Sequence, residues 1–135
     1  MWFRRLIVSA FWASVLVAYV AAVLPQAEAP HLGASDKLDH MAAFFTVCFL
    51  GRLAYPGYGL PRLLALAAGF GALIEVTQML PMLHRDAEFG DWVADVLASG
   101  LGTLTAWPIL TRSNAIQQGH RSDWPMSRRS TRPGK

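Results

Sequence analysis

The sequence predicts an all-α polytopic membrane protein, a bundle of four transmembrane helices. Hydrophobic residues make up 53% of the 135 residues and charged residues only 16%, whereas soluble domains carry about 25% charged residues. The apolar residues are grouped in blocks of transmembrane length, and polar segments rich in Pro and Gly separate these blocks. The predicted spans are about residues 6–24, 38–55, 62–83 and 91–110.

The first span is an uncharged run that is long enough to cross a bilayer core of about 30 Å. A cleaved signal peptide is the alternative, because Ala27-Glu28-Ala29 resembles a cleavage site. The run is longer than the usual apolar core of about 7–15 residues in signal peptides, and Pro30 directly follows the site. We therefore predict that this helix is retained.

The second span is the least apolar of the four. Charged residues and a histidine occupy positions 36–40 at its beginning, and Arg52 lies near its end. Its place between two stronger spans favours it, because a chain that leaves the membrane on one side must return. The turn-forming residues 56–61 then lead into the third span.

The third and fourth spans each carry ionisable or amide side chains. Glu75 and Gln78 lie in the third span, and Asp95 lies one turn inside the fourth. Beyond them, residues 112–135 are polar and basic and are predicted to form a disordered cytoplasmic tail. Residues 1–111 therefore form the predicted transmembrane domain.

The distribution of Lys and Arg predicts the orientation. With the N-terminus in the cytoplasm, every Lys and Arg except Lys37 and Arg85 falls on the cytoplasmic side. This is the positive-inside pattern, and it predicts a multi-pass protein of a bacterial inner membrane with both termini cytoplasmic. Because the basic residues flank membrane spans, the net charge of +3 does not indicate a nucleic-acid partner.

Ionisable groups inside spans are costly and usually face the bundle interior or a wet cavity. At 1.5 Å per residue, His40, Gln78 and Asp95 share the outer part of the bilayer, with Glu75 somewhat deeper. On the third and fourth spans, small residues occur at helical spacing on the same face as these polar residues and form a stripe with them. This pattern predicts that the stripes lie where helices touch. We therefore predict one polar cluster on the outer side. Its members are Asp36, Lys37, His40, Glu75, Gln78, Arg85, Asp91 and Asp95.

These residues, in this order, resemble the VanZ-like family of small bacterial membrane proteins. The first family element reads Asp36-Lys37-Leu38-Asp39-His40 here. The second reads Glu75-Val76-Thr77-Gln78. The third reads Arg85, Asp91, Asp95, Ala98 and Gly102, with Asp95 where the family pattern has Asn and Ala98 where it has the first of two glycines. The resemblance covers about residues 36–102.

The resemblance implies a membrane domain of four or five helices. The family is named for a protein associated with low-level resistance to the glycopeptide teicoplanin, and no molecular activity is implied for this chain. No cofactor is expected, and the four histidines lack a shared metal-binding spacing, so no metal site is predicted either.

Three functions remain open at the level of the sequence. The first is a non-enzymatic envelope protein whose outer cluster binds a lipid-linked or amphiphilic ligand. The second is a membrane-embedded enzyme that acts on a lipid headgroup, with His40 as the acid or base and Glu75 or Asp95 as its partner. The third is a structural or assembly protein whose basic tail contacts the anionic inner leaflet or another protein. In that case the polar residues of the spans only hold helices together.

Overall fold

The structure is a computed structural model that describes residues 2–25, 35–83 and 89–122. In these ranges all regular elements are helical, and no strand is present. The prediction of an all-α fold is therefore confirmed for this part of the chain. The elements are α1 (Trp2–Val23), α2 (Asp36–Ala54), α3 (Leu60–Gln78), a short 3-10 helix (Pro81–Leu83) and α4 (Phe89–Ser122).

Three of the helices are long and apolar enough to cross a membrane, which indicates a membrane protein. They are α1, α3 and the part of α4 from Phe89 to Thr111. α2 is as long as α3, with 19 residues, but its charged and polar residues keep it out of this group. It corresponds to the least apolar of the four predicted spans.

The helix ends follow from local chemistry. Ser35 caps α2, because its hydroxyl accepts a hydrogen bond from the backbone N–H of Leu38. α3 ends at Gln78, earlier than the predicted boundary at residue 83, and Pro81, which has no N–H for a helical hydrogen bond, starts the short 3-10 helix. α4 continues to Ser122, so its last turns extend into the segment predicted as a tail. Residues 123–135 lie outside the described ranges.

The helices form two hairpins, α1–α2 and α3–α4, that meet along α2 and α4. These two helices run parallel and make the most extensive contact in the molecule. Successive pairs join them from one end to the other. The pairs are Lys37 with Asp91, His40 with Asp95, Phe45 with Gly102 and Arg52 with Trp107.

A close approach at Gly102 allows this contact. A Cβ atom at Gly102 would collide with the backbone carbonyl oxygen of Phe45 and would lie 3.1 Å from its carbonyl carbon. Small residues permit such backbone contact between membrane helices. The predicted stripe of small and polar residues on the fourth span is therefore the face that packs on α2.

Buried side chains from all four helices form the core, with α2 at its centre. It contains Ala22, Phe44, Cys48, Ala67, Ile74 and Ala98. Large apolar side chains on α1, α3 and α4 also point away from the bundle; Leu16, Leu73 and Leu97 are each more than half exposed. Among the described side chains of α2, Leu38 is the exposed large apolar one.

At the end of the bundle where α2 ends and α3 begins, Arg52 stabilises the turn between these helices. Its guanidinium donates hydrogen bonds of 2.6 Å to the carbonyl oxygens of Pro56 and Tyr58. It also lies over the indole of Trp107, 5.3 Å from the ring centroid. Backbone acceptors and a cation–π contact thus surround this buried charge.

Candidate functional site at the polar end of the bundle

The predicted site residues that the structure describes lie at one end of the bundle, which we call the polar end. Here α1 and α3 finish and α2 and α4 begin. The side-chain amide of Gln78 donates a 3.0 Å hydrogen bond to the carbonyl oxygen of Ala22, which joins the ends of α3 and α1. The ammonium of Lys37 lies 2.8 Å from a carboxylate oxygen of Asp91, which joins the beginnings of α2 and α4.

One turn deeper, His40 and Asp95 form a buried pair between α2 and α4. Nδ1 of His40 lies 3.5 Å from Oδ2 of Asp95. Only 1% of Asp95 and 8% of His40 are exposed. The second carboxyl oxygen of Asp95, Oδ1, is buried and has no hydrogen-bond partner among the described residues. Because both side chains are buried, the pair lies inside the α2–α4 contact, away from solvent.

The buried polar face of α4 continues below Asp95. The hydroxyl of Ser99 donates a 2.7 Å hydrogen bond to the backbone carbonyl oxygen of Asp95. The hydroxyl of Thr103 donates a 2.9 Å hydrogen bond to the backbone carbonyl oxygen of Ser99. Cys48 of α2 lies within hydrogen-bond reach of both hydroxyls. Ser99 and Thr103 were not predicted from the sequence as part of this face, although they extend the four-residue spacing of Asp91 and Asp95.

The predicted small-residue stripe of the third span faces an indole of α4. The Nε1 of Trp92 donates a 2.9 Å hydrogen bond to the carbonyl oxygen of Ala68. A Cβ atom at Gly71 would lie only 3.1 Å from Cδ1 of Trp92. Gly71 thus makes room for the ring, and the carbonyl of Ala68 fixes its orientation.

Beside this indole a groove of about 330 Å³ opens between α3 and α4. Glu75 lies in it, one helical turn beyond Gly71, together with apolar side chains. The ring of Phe89 stacks on Trp92 with a centroid distance of 5.4 Å. The groove is lined by Ala72, Glu75, Val76, Met79, Phe89 and Trp92.

The described residues of the predicted cluster therefore belong to different helix–helix contacts. Lys37, His40, Asp91 and Asp95 meet in the α2–α4 contact. Gln78 binds α1, while Glu75 lines the groove between α3 and α4. Arg85 and the side chain of Asp36 lie outside the described part of the chain.

Phe89 and Trp92 were not identified from the sequence as site residues. Their signal was available, since aromatic residues at the start of a membrane span are typical of the interface. Nothing in the sequence, however, indicated that they face Glu75. The contact with Glu75 depends on the orientation of α3 about its own axis relative to α4.

The arrangement provides a carboxylate, two aromatic rings and apolar walls at one end of the bundle. Such a surface can hold an amphiphilic molecule, because the lining combines a polar carboxyl group with apolar side chains. Among the described residues, no group of three His, Cys, Asp or Glu side chains could hold a metal ion.

In comparisons with known proteins, no family model, no curated protein and no solved structure matches this chain.

Proposed function

We propose that this chain is a non-enzymatic envelope protein that binds a lipid-linked or other amphiphilic ligand in the groove between α3 and α4. The observation that supports this proposal is the composition of the groove. Glu75 lies among five apolar or aromatic side chains, and three of them, Val76, Met79 and Phe89, are more than 60% exposed. A surface of this kind suits a ligand that has both a polar and an apolar part.

The proposal includes a bundle of four membrane spans. α2 runs parallel to α4 and pairs with it from Lys37–Asp91 to Arg52–Trp107, so α2 covers the same height as the part of α4 between Asp91 and Trp107. A helix in the middle of a bundle meets protein on most sides and can carry more polar residues than a lipid-facing one. The positive-inside pattern supports cytoplasmic termini in a bacterial inner membrane. In this proposed orientation the polar end faces the outside.

We also propose that the chain is VanZ-like. The described residues of the three motif elements that carry this resemblance lie on α2, α3 and α4. The Lys37–Asp91 and His40–Asp95 pairs connect the first element with the third, which gives their order and spacing a physical reason. A role in glycopeptide resistance rests on the resemblance alone.

Burial favours binding over catalysis at a headgroup. His40, the acid or base of the enzyme hypothesis, and Asp95, one of its two candidate partners, are 8% and 1% exposed and lie within the α2–α4 contact. The other candidate partner, Glu75, lies in the groove between α3 and α4. A general acid or base must come within hydrogen-bond reach of the substrate. The exposed groove at Glu75 is more accessible to a membrane ligand than the buried His40–Asp95 pair.

A purely structural role explains only part of the polar end. Interhelical hydrogen bonds account for Gln78 with Ala22 and for His40 with Asp95. They do not account for an open groove in which Phe89 is 76% exposed next to a carboxylate. Aromatic side chains are typical of the membrane interface, and beside a carboxyl group they provide the apolar and polar surfaces that an amphiphilic ligand requires.

Native mass spectrometry of the protein extracted from its membrane in mild detergent tests the proposed function. Val76→Trp places a bulky ring in the groove without disturbing the core, because Val76 is 62% exposed. Leu16→Trp is the matched control, because Leu16 is 63% exposed and lies on α1 away from the groove. We expect wild type and Leu16→Trp to retain a bound amphiphile that Val76→Trp loses.

Thermal unfolding of the three proteins shows that the variants are folded. If Val76→Trp is as stable as Leu16→Trp and retains the same bound molecules in the same amount, the groove is not an amphiphile site and the proposed function is wrong.

A further inference from the structure

We infer that the end of the bundle opposite the polar end binds an anionic phospholipid. Its headgroup lies at Arg4 and Arg5, and one of its acyl chains enters an apolar cavity between α1 and α3. At this end α1 and α3 begin and α2 ends; we call it the basic end, because it carries Arg4, Arg5, Arg52 and Arg62. The inference adds a second site and does not depend on the ligand of the α3–α4 groove.

A groove of about 640 Å³ at the basic end brings two guanidinium groups and two hydroxyl groups together. We call it the basic groove, and its lining residues are Arg4, Arg5, Val8, Ser9 and Tyr55. The hydroxyl of Tyr55 accepts a 3.0 Å hydrogen bond from Nε1 of Trp12, which leaves its own O–H as a donor for a ligand oxygen. Guanidinium groups bind phosphate oxygens in a bidentate manner, so this set of donors suits a phosphate group.

The charges of the described residues favour an anion at the basic end. The acidic side chains that the structure describes all belong to the half of the bundle next to the polar end; they are Asp39, Glu75, Asp91 and Asp95. No ion pair joins Arg4 or Arg5 to another described residue, and arginine side chains stay charged in proteins. Both guanidinium groups therefore attract a phosphate group.

Basic residues alone do not indicate a lipid site, because they are common at cytoplasmic helix ends, where they set the topology. The second observation is an apolar cavity of about 230 Å³. Phe11, Trp12 and Val15 of α1 line it together with side chains of α2 and α3. Trp12 and Leu66, both in the lining, are each 57% exposed. The cavity therefore opens between α1 and α3 toward the lipid.

The basic groove and the cavity adjoin along one face of α1. Arg4, Val8 and Trp12 follow one another at four-residue spacing on this face, and the Trp12–Tyr55 hydrogen bond borders both spaces. The cavity lining begins at Phe11, about 10 Å deeper than Arg4 along the helix axis. The headgroup region is about 5–8 Å thick on each side of a bilayer. A lipid with its phosphate at the arginines therefore has its acyl chains at the depth of the cavity.

Hydrocarbon is the chemical match for this cavity. Apolar cavities of this size stay dry and take up apolar molecules, and a void costs the lining its van der Waals contacts. In a membrane, acyl chains are the apolar molecules available at this depth. A phospholipid with a negatively charged headgroup thus satisfies both the basic groove and the cavity.

Native mass spectrometry titrations of the purified full chain in detergent test this inference with matched lipids. Phosphatidylglycerol is anionic, and phosphatidylcholine with the same acyl chains carries no net charge. We expect wild type to bind phosphatidylglycerol about tenfold more tightly, because the choline group neutralises the phosphate. Val76→Trp, which blocks the α3–α4 groove, should show the same preference, since that groove lies at the other end of the bundle.

Arginine variants assign the preference to the basic groove. Arg4→Gln and Arg5→Gln each remove one guanidinium group and should each reduce the preference about threefold. Arg62→Gln is the matched control, because it removes one charge at the same end but outside the groove. There the Arg62 guanidinium lies over the ring of Tyr58, 4.0 Å from its centroid. This variant should keep the wild-type preference.

Filling the cavity tests the position of the acyl chain. Ala67→Met extends a side chain into the cavity and should weaken phosphatidylglycerol binding about threefold, because the acyl chain loses its space. Ala65→Met is the control, because it makes the same change at an exposed position of α3 outside the lining. Glycerophosphoglycerol, the same headgroup without acyl chains, should not displace the lipid even in large excess.

Thermal unfolding identifies any variant that is not folded, and the wild-type titrations decide the inference without the variants. Equal affinity of wild type for the two lipids would overturn it, as would a preference that Val76→Trp removes. Equal losses of preference in Arg62→Gln, Arg4→Gln and Arg5→Gln would show that net charge and not the basic groove attracts the lipid. Displacement by glycerophosphoglycerol, or equal binding of phosphatidylglycerol to Ala67→Met and Ala65→Met, would contradict an acyl chain in the cavity and with it the inference.

Discussion

The two pairs of parallel helices, α2 with α4 and α1 with α3, pack in opposite ways. α4 is in contact with α2 along the length of α2, and Gly102 allows the backbones to touch at Phe45. α1 and α3 have few contacts, and an apolar cavity of about 230 Å³ separates them, with side chains of α1, α2 and α3 in its lining. At the polar end the hydrogen bond from Gln78 to Ala22 joins the second pair.

The difference shows what draws membrane helices together. Lipid chains are as apolar as leucine side chains, so burial of apolar surface gives little preference for helix–helix contact. Small residues and hydrogen bonds supply that preference, and α2 and α4 contain both. The facing surfaces of α1 and α3 carry large apolar side chains such as Trp12 and Phe70, which leave space between the helices.

The largest expected effect comes from separating the partners of the His40–Asp95 pair. His40→Leu leaves the Asp95 carboxyl buried without a hydrogen-bonding side chain among the described residues. We expect a loss of about 3 kcal/mol in unfolding free energy, because the remaining polar group is buried and uncompensated. Reversible unfolding in detergent micelles measures this loss.

The double variant His40→Leu, Asp95→Ala serves as the control for this prediction. It removes both polar groups and should lose clearly less than the sum of the two single variants. Additive losses, within about 0.5 kcal/mol, would show that the two side chains are not coupled.

A smaller effect is expected at the close approach of α2 and α4. Gly102→Ala forces the two backbones apart at Phe45 and should cost about 2 kcal/mol, the usual range for overpacking. Gly69→Ala on α3 is the matched control, because no atom lies within 4 Å of the added methyl group. Equal melting temperatures of Gly102→Ala and Gly69→Ala would contradict the close approach of the two backbones at Gly102.

The smallest effect is expected in the cavity between α1 and α3. Ala67 lines this cavity, so Ala67→Met has room for its longer side chain and should change stability by less than about 1 kcal/mol. Ala98, which is 2% exposed in the core, is the control position. Ala98→Met should destabilise the protein more than Ala67→Met, and the reverse order would contradict the looser packing of α1 and α3.

Parts of the candidate site could be predicted from the sequence because they follow from position along a helix. The four-residue spacing of Asp91 and Asp95 puts them on one face, and the structure pairs both with α2. The contact of Gln78 with α1 could not be predicted in this way. Its partner is a backbone carbonyl group, which any residue supplies and which leaves no mark in the sequence.

The aromatic side chains of the α3–α4 groove could also be predicted only in part from the sequence. Phe89 and Trp92 are visible in the sequence as interface aromatics, and Gly71 is visible as a small residue on the stripe that leads to Glu75. That Gly71 makes room for Trp92 is a relation between two helices. Contacts of this kind depend on how each helix is oriented about its own axis relative to its neighbour. The periodic pattern of a single helix does not specify that orientation.

The sequence by itself determined the helical class, three helices apolar enough to cross a membrane, and the polar stripes of the second, third and fourth predicted spans. These features depend on hydropathy and helical periodicity, which are local properties of the chain. Only the tertiary structure decided that α2 packs mainly on α4 and not on α3, which follows it after a short turn. The reason is steric and polar complementarity, because Gly102 admits the backbone at Phe45 and Asp95 meets His40.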